Sequence, residues 1–385
     1  MTHSDILIIG GGIAGMSAAY FLAKAGKSVT VLEREDQPGY HSTGRSAALY
    51  SETYGPKIIR KMSTASRAFF LTPPEGFSEN PILSPRGIIM TAKPGEEAEL
   101  DAILSEGRAN GANFVELTPA ELKEIIPVLH TDQIAKAAYE PDAMDIDVHA
   151  LHWGFIRQFK SRGGTLVTKA DVSAITRESG VWTVSLSNGA SYNGDIVVNA
   201  AGAWADDIAT KAGIPPLGIV PKRRTAVMVD LPADVDAHGW PLVACLDETL
   251  YFKEDAGRLL VSPADTTPTE PHDVQPEELD IAITIDRLMT TTSIEVRRPG
   301  ESWAGLRSFF ADGDPVSSFD PADDSFYWLA GQGGYGIQTA PAMGEYAASI
   351  ITGNDVPPQM EKLGITKDAL SATRPTLASG KQELQ

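Results

Sequence analysis

The sequence predicts an α/β fold: a dinucleotide-type βαβ unit with a second α+β part built on a mostly antiparallel sheet. Three stretches predict it. The first thirty-three residues hold an apolar run (5–9), a glycine turn with a helix, and a second apolar run (27–32). Residues 215–310 are rich in short β-type runs. A last apolar run, 326–330, leads into the glycine-rich loop Gly331 to Thr339 and another helix.

The first run is long enough for a buried strand. Gly10, Gly12 and Gly15 occupy the positions of a G-x-G-x-x-G turn, and 16–25, rich in Ala, Leu and Met, is helical. Gly10 makes the tight turn, Gly12 lets a pyrophosphate approach the backbone, and Gly15 lets helix and strand pack closely. The helix N-terminus offers N–H groups and a positive dipole end to phosphates. Gly10, Gly12, Ala14 and Gly15 are therefore candidate cofactor contacts. Glu33 ends the second strand where a carboxylate accepts hydrogen bonds from an adenosine ribose, and Arg34 follows it. A glycine turn without a ligand would not need strand, helix and acid together. The motif leaves NAD and FAD open, although its place at the N-terminus and the Arg34-Glu35 pair lean towards FAD.

The chain has 385 residues, enough for two domains or one with a large insertion. Its net charge of −19 argues against a nucleic-acid partner, which needs a Lys/Arg surplus, and against a polybasic membrane anchor. Cys245 is the one cysteine, so no intrachain disulfide, thiolate zinc site or iron–sulfur cluster is expected, and a reducing compartment is favoured. Its apolar neighbours mark it as a small buried residue. Neither a signal peptide nor a spanning apolar run is visible, so a cytoplasmic protein is expected.

Between the glycine stretches, the loop Gln37 to Ala48 is rich in small hydroxylated residues. Ser42, Thr43, Gly44 and Ser46 can bring N–H groups to a phosphate and Arg45 can add charge. The equal alternative is a surface loop with Thr43 capping a helix that opens at Ser46. Helices are expected over 54–70, 96–106 with Gly107 as stop, 120–126 capped by Thr118, 147–161, 203–211, 276–290 and 340–351. His149 and His152 on the 147–161 helix match no ligand motif, so no metal site is expected. Strands are expected over 82–90 (two, around a turn), 137–139, 165–167, 172–177, 182–186, 191–192, 195–202, 221–229, 240–246, 249–253, 259–262, 303–309 and 326–330, with a turn at Asn188-Gly189. The residues after about 360 read as a frayed polar tail.

Five segments carry a resemblance: Gly39-Tyr40-His41-Ser42-Thr43-Gly44-Arg45-Ser46-Ala47-Ala48, Pro221-Lys222-Arg223-Arg224, Leu246-Asp247-Glu248, Trp303-Ala304-Gly305-Leu306-Arg307-Ser308-Phe309 and Gln332-Gly333-Gly334-Tyr335-Gly336-Ile337-Gln338. In these the chain resembles the FAD-dependent D-amino-acid oxidase/glycine oxidase superfamily, and within it the bacterial D-arginine dehydrogenases. The resemblance implies a glutathione-reductase-type FAD fold. An FAD-binding domain would comprise 1–80, 145–215 and 325–360, and a substrate domain 81–144 and 216–324. It implies that Ser42, Thr43, Gly44, Arg45, Ser46, Ala47, Ala48 and Leu49 line the flavin. Val172 would lie near the adenosine, and Gly333, Gly334, Tyr335, Gly336, Ile337 and Gln338 along the isoalloxazine; Gly202 also belongs to the expected cofactor set. Tyr54, Arg224, Tyr251 and Arg307 would hold a substrate carboxylate, and the Gly334 carbonyl would help place the amino group. An arginine fork suits a carboxylate because it binds bidentately.

Two departures shape the expected substrate. The arginine enzymes carry a glutamate where this chain has Ile88, and a histidine where it has Leu49. A buried cation without a carboxylate partner is costly. Leu49, Ile88, Leu242 and Ala244 are therefore expected to wall an apolar pocket, with Glu248 and Gln338 also beside the substrate. The expected reaction is FAD-dependent oxidative deamination of D-amino acids with neutral or apolar side chains. A secondary amine or a 2-hydroxy acid is the alternative substrate. Electrons would pass to a quinone or dye, or to O2.

Overall fold

The computed structural model describes residues 2–379. Its first sheet has eight strands. The strand Thr2–Ile9 pairs in parallel with Val29–Leu32 on one side and Ser191–Asn199 on the other. Thr165–Val167 extends it beyond Val29–Leu32, and Asp323–Ala330 pairs in parallel with the last residues of Ser191–Asn199. The first residues of that same strand pair with Val181–Leu186, which turns back to Val172–Glu178. All the parallel strands end at one edge, the ordinary place for a ligand crevice in an open α/β sheet.

Burial explains why these runs are strands. Ile6, Ile8, Val29 and Val31 meet the helices Ile13–Lys24, Lys57–Leu71, Val148–Ser161 and Gly336–Ile351 in one core, while Leu7, Ile9 and Leu32 meet Ile208 and Trp182 in another. Alternate residues of a single strand thus feed cores on opposite faces, which is why it reads as an unbroken apolar run.

The second sheet also has eight strands. Their order is Ser302–Phe309, Val220–Val229, Arg258–Ser262, Tyr251–Asp255, Leu242–Cys245, Ile88–Ala92, Lys136–Glu140 and Val115–Leu117. All neighbours are antiparallel except Leu242–Cys245 with Ile88–Ala92. One face packs on the helix Glu278–Thr291 through Val227, Val261, Phe252 and Val243. On that side Arg223 Nε donates to Asp280 at 2.9 Å. The other face turns towards the first sheet. A small third sheet joins Leu49–Tyr50, Met144–Ile146 and Leu83–Pro85.

Several expectations need correction. The two strands of 82–90 join different sheets, because Gly87 turns the chain at φ +73 between them. Gly107 does not stop its helix. The helix runs to Ala109, and Gly107 is buried where Phe114 leaves no room for a side chain. The strands expected at 191–192 and 195–202 are one, Ser191–Asn199, since Asn193 and Gly194 keep the ladder going, and Gly202 opens a short helical turn instead. No helix opens at Ser46; the chain enters Leu49–Tyr50 instead. The helix expected at 340–351 begins at Gly336. Pro341 is accommodated inside it, and Ala342 N donates to Ser66 Oγ at 3.1 Å. A strand at Val316–Asp320 was not expected. The described part of the supposed tail is anchored: Met360, Ile365 and Leu370 are buried, and Arg374 binds Asp312 through Nε at 2.5 Å and Nη2 at 2.7 Å.

Candidate active site

At the crevice edge, Gly10 sits at φ +107, a conformation only glycine adopts freely, and a Cβ there would lie 2.4 Å from the Ala200 carbonyl oxygen. Gly12 forms the N-cap of the first helix without a side-chain cap of its own. Thr43 supplies it from a distance, its Oγ1 accepting from Ile13 N at 3.0 Å. Thr43 is thus a cap, but for the first helix and not for one opening at Ser46. Glu33 accepts from Gly11 N and from Glu35 N, each at 2.8 Å. Burial raises its carboxyl pKa, against those two hydrogen bonds.

These groups line a cavity of about 880 Å³ with Gly12, Arg34, Ser42, Val172, Gly202 and Trp204. The Arg34 guanidinium lies 4.2 Å from the centre of the Trp204 ring, and His41 packs on the same ring at 4.7 Å. Sequence reasoning missed this aromatic plate, because Trp204 and His41 meet only in the fold. It also missed His152, whose Nε2 lies 2.9 Å from the Gly11 carbonyl oxygen. Burial depresses the imidazole pKa to about 4, so the ring is neutral and donates from Nε2.

A second cavity of about 970 Å³ adjoins the first, and Gly12, Ser42, Thr43, Ala200, Gly202 and Ala203 line both. Its walls also include Ala14, Arg45, Ser46, Ala47, Arg224, Tyr251, Arg307, Gly333, Gly334, Gly336 and Ile337. Sheet register explains the grouping. Arg224 pairs with Gly305 and Lys222 with Arg307, so both arginines leave the same face. Tyr251 pairs with Ala244 on one side and Ser262 on the other, and Leu242 with Ile88. Ile88 and Leu242 are buried together with Ala143, and Leu49, Ala244 and Tyr251 pack against them. The expected apolar wall therefore assembles beside Tyr251.

Arg307 is half-buried at the cavity wall, and against the effect of burial the neighbouring Tyr54, Tyr251 and Tyr335 phenols raise its pKa. A Cβ at Gly334 would lie 2.7 Å from Arg307 Nη1, so only glycine lets the loop come this close. Arg224 holds the Asp265 carbonyl through Nε at 2.9 Å and shares the cavity wall with Tyr251. Burial pushes the Tyr251 phenol up, but Arg307, Arg224 and a hydrogen bond to Ser262 bring its pKa below the usual value. Tyr54 packs edge-on against Tyr335, ring centres 5.1 Å apart, and burial raises the Tyr335 phenol pKa.

Tyr54, Tyr335, Gly15, Gly44, Ala48, Glu248 and Gln338 fall outside the two cavity linings, as do Leu49, Ile88, Leu242 and Ala244 of the apolar wall. Gly15 lies under the turn, where a Cβ would meet the Gly10 carbonyl oxygen at 1.9 Å. Gly44 closes its loop on itself, donating to the Gly39 carbonyl at 2.7 Å, and Ala48 is core. Glu248 is exposed on the turn before Tyr251, at φ +51. Gln338 is buried in the first turn of the helix Gly336–Ile351, its Oε1 accepting from Ser51 N at 3.2 Å. Arg45 corrects an expectation. Its guanidinium is committed to Asp273 and to the carbonyls of Val274 and Ala304, each of the latter at 2.9 Å. It braces the loop against the second sheet and does not bring free charge to a phosphate. Ser42 Oγ donates to the Leu306 carbonyl at 2.6 Å and Trp303 Nε1 to the Arg45 carbonyl at 3.0 Å, with the same effect.

The family description "FAD dependent oxidoreductase" (DAO) matches residues 5–350. The chain belongs to this FAD-dependent oxidoreductase family. It is 26% identical over 366 residues to a glycine oxidase of Bacillus licheniformis, covering 91% of this chain and 94% of that one. It is 25% identical to the Bos taurus FAD-dependent oxidoreductase domain-containing protein 1 over 398 residues, covering 91% of this chain and 81% of the other. Among solved structures, L-proline dehydrogenase from P. horikoshii superposes with a TM-score of 0.79 at 23% identity, covering 95% of this chain and 99% of that one, a likeness of fold.

The residues present fit FAD. The glycine turn leaves a cradle at the helix N-terminus, and Glu33 faces the far end of the first cavity. Gln332 lines the second cavity, and its buried Nε2 lacks a partner among the described residues, as does Gln338 Nε2. Such amide donors suit the carbonyl oxygens of a flavin ring. Among the described residues no helix is long and apolar enough to cross a membrane.

Proposed function

We propose that this oxidoreductase oxidises the Cα–N bond of amino acids, with D-amino acids bearing neutral or apolar side chains as its substrates. One observation carries the reading. Arg224, Tyr251 and Arg307 from three separate strands line one cavity, Tyr54 adds its phenol beside Arg307, and the neighbouring wall is apolar. Arg307 and Arg224 would bind the carboxylate, with Tyr251 and Tyr54 as neutral donors. The wall of Leu49, Ile88, Leu242 and Ala244 would take the side chain.

Bound FAD supplies the acceptor for the hydride leaving Cα. The chain's own residues hold the carboxylate so that the Cα–H has one orientation. The Gly334 carbonyl accepts from the amino group, which must be neutral for its lone pair to assist. Among the described residues no carboxylate or imidazole lines the second cavity, so the amine proton would leave to water. The product imino acid takes up water and releases ammonia and a 2-oxo acid. Ser42, Thr43, Ser46 and Ala47 would contact the flavin, Val172 and Glu33 the adenosine end. Electrons would pass to a quinone or dye, or to O2, in a cytoplasmic setting.

The glycine oxidase likeness supports a second reading: the same clamp holding a glycine-type or N-alkyl glycine substrate, with the apolar wall receiving an N-substituent. A 2-hydroxy acid would use the same carboxylate contacts. Rates with D-alanine, D-leucine, D-phenylalanine, sarcosine and D-lactate separate the three. D-leucine or D-phenylalanine ahead of sarcosine and D-lactate supports the proposal, and the reverse order replaces it. The enantiomers test handedness, since the fold is shared with an L-proline dehydrogenase.

A further inference from the structure

Glu140 is a buried acid that the proposed reaction does not use, 4% exposed at the end of the strand Lys136–Glu140. It pairs across the ladder with Ile88, so its side chain leaves the sheet on the face that carries the apolar wall. Its carboxylate accepts from Thr53 Oγ1 at 2.7 Å and from Ser51 Oγ at 3.2 Å. Ser51 Oγ in turn accepts from Thr53 N at 3.2 Å, closing a ring of bonds around the acid. Burial raises the Glu140 carboxyl pKa, against the bonds from Thr53 and Ser51.

Both hydroxyl residues adjoin the site. Tyr54 follows Thr53, packs on Tyr335 with ring centres 5.1 Å apart and is one of the three phenols around Arg307. Ser51 N–H donates to Gln338 Oε1 at 3.2 Å. A backbone N–H can only donate, so the Gln338 amide must turn its oxygen to Ser51 and its NH2 away. That NH2 is buried without a partner among the described residues, as expected of a donor kept for a ligand.

We propose that Glu140 is a positioning residue: through Ser51 and Thr53 it fixes the segment that holds Gln338 in one amide orientation and carries Tyr54 to Arg307. The inference rests on the proposed carboxylate clamp, and its test is chosen to stand apart from turnover. The FAD-loaded enzyme is titrated with benzoate, a simple carboxylate, and the change in flavin absorbance gives Kd. KM and kcat for the best amino acid are measured alongside.

In Glu140→Ala, Kd for benzoate and KM are expected to rise roughly tenfold, the scale of one lost charge-assisted hydrogen bond, with kcat and flavin content less affected. Glu140→Gln, which keeps an acceptor for Thr53, should return both to within about threefold of wild type. Ser51→Ala combined with Glu140→Ala should be no worse than either alone, because the two act as one unit. Should Glu140→Ala fail to fold, Thr53→Val carries the same expectation. Unchanged Kd and KM in Glu140→Ala overturn the proposal, as does a loss confined to flavin content and kcat. Wild-type enzyme that binds benzoate but is reduced by no amino acid overturns the proposed reaction and leaves the Kd test standing.

Discussion

The two large sheets build their halves of the site by opposite means. The first presents backbone. Its glycine turn, its helix N-terminus and Glu33 lie within thirty-three consecutive residues, and the ligand meets peptide groups at the ends of parallel strands. The second presents side chains. Arg224, Tyr251 and Arg307 come from three strands that register puts on one face, and Tyr54 comes from a loop of the other half. A backbone-built site depends on steric permission at a few glycines. A side-chain-built site depends on pairing across long sequence separations.

Substitutions in the two sheets should therefore fail differently. The largest effect is expected at Gly10→Ala. Positive φ and a Cβ at 2.4 Å from the Ala200 carbonyl oxygen cannot both be relieved, so the purified protein should carry no flavin and lose about 2 kcal/mol or more of stability. Absorbance at the flavin maximum and a denaturant titration check this. Arg307→Met should leave flavin content intact while kcat/KM for a D-amino acid falls about a thousandfold, since a buried charged contact to the substrate is removed. Flavin loss in Arg307→Met, or retention in Gly10→Ala, would erase the division between the halves.

His152 comes next. Its folded pKa of about 4 lies below the unbound 6.5, so the unfolded chain takes up the proton first as pH falls. The stability it contributes is present above 6.5 and is lost between 6.5 and about 4, amounting to about 3 kcal/mol. Comparing unfolding free energies at pH 7 and pH 4 should show this acid limb in wild type and a flatter one in His152→Leu. The smallest effect is expected at Ile88→Glu. An acid in the apolar wall should raise kcat/KM for D-lysine and D-arginine about tenfold and lower it for D-leucine. A steady-state panel reads the change.

The same contrast explains what could be read from the chain. The cofactor half was legible because its parts are consecutive: Gly10, Gly12, Gly15 and Glu33 stand at fixed spacings dictated by one βαβ unit. Tyr54, Arg224, Tyr251 and Arg307 came through resemblance, since no local spacing links them. His152 under Gly11, Thr43 on Ile13, and Arg34 with His41 on Trp204 were not legible, because each is a contact between distant segments. Arg45 was misjudged for the same reason: a cation in a phosphate-type loop looks free until Asp273 arrives from 228 residues away. The chain after 360 looked polar because its few apolar residues are spaced singly. Met360, Ile365 and Leu370 are nonetheless enough to pin it to the helical face of the first sheet.

The most direct measurement is an anaerobic titration of the FAD-loaded enzyme with D-leucine, following the visible flavin absorbance. The account predicts stoichiometric bleaching in wild type and none on the same timescale in Arg224→Met or Arg307→Met, all three proteins being equally yellow at the start. Wild-type flavin that stays oxidised with every amino acid and N-alkyl glycine, or arginine variants that bleach as fast as wild type, would contradict it.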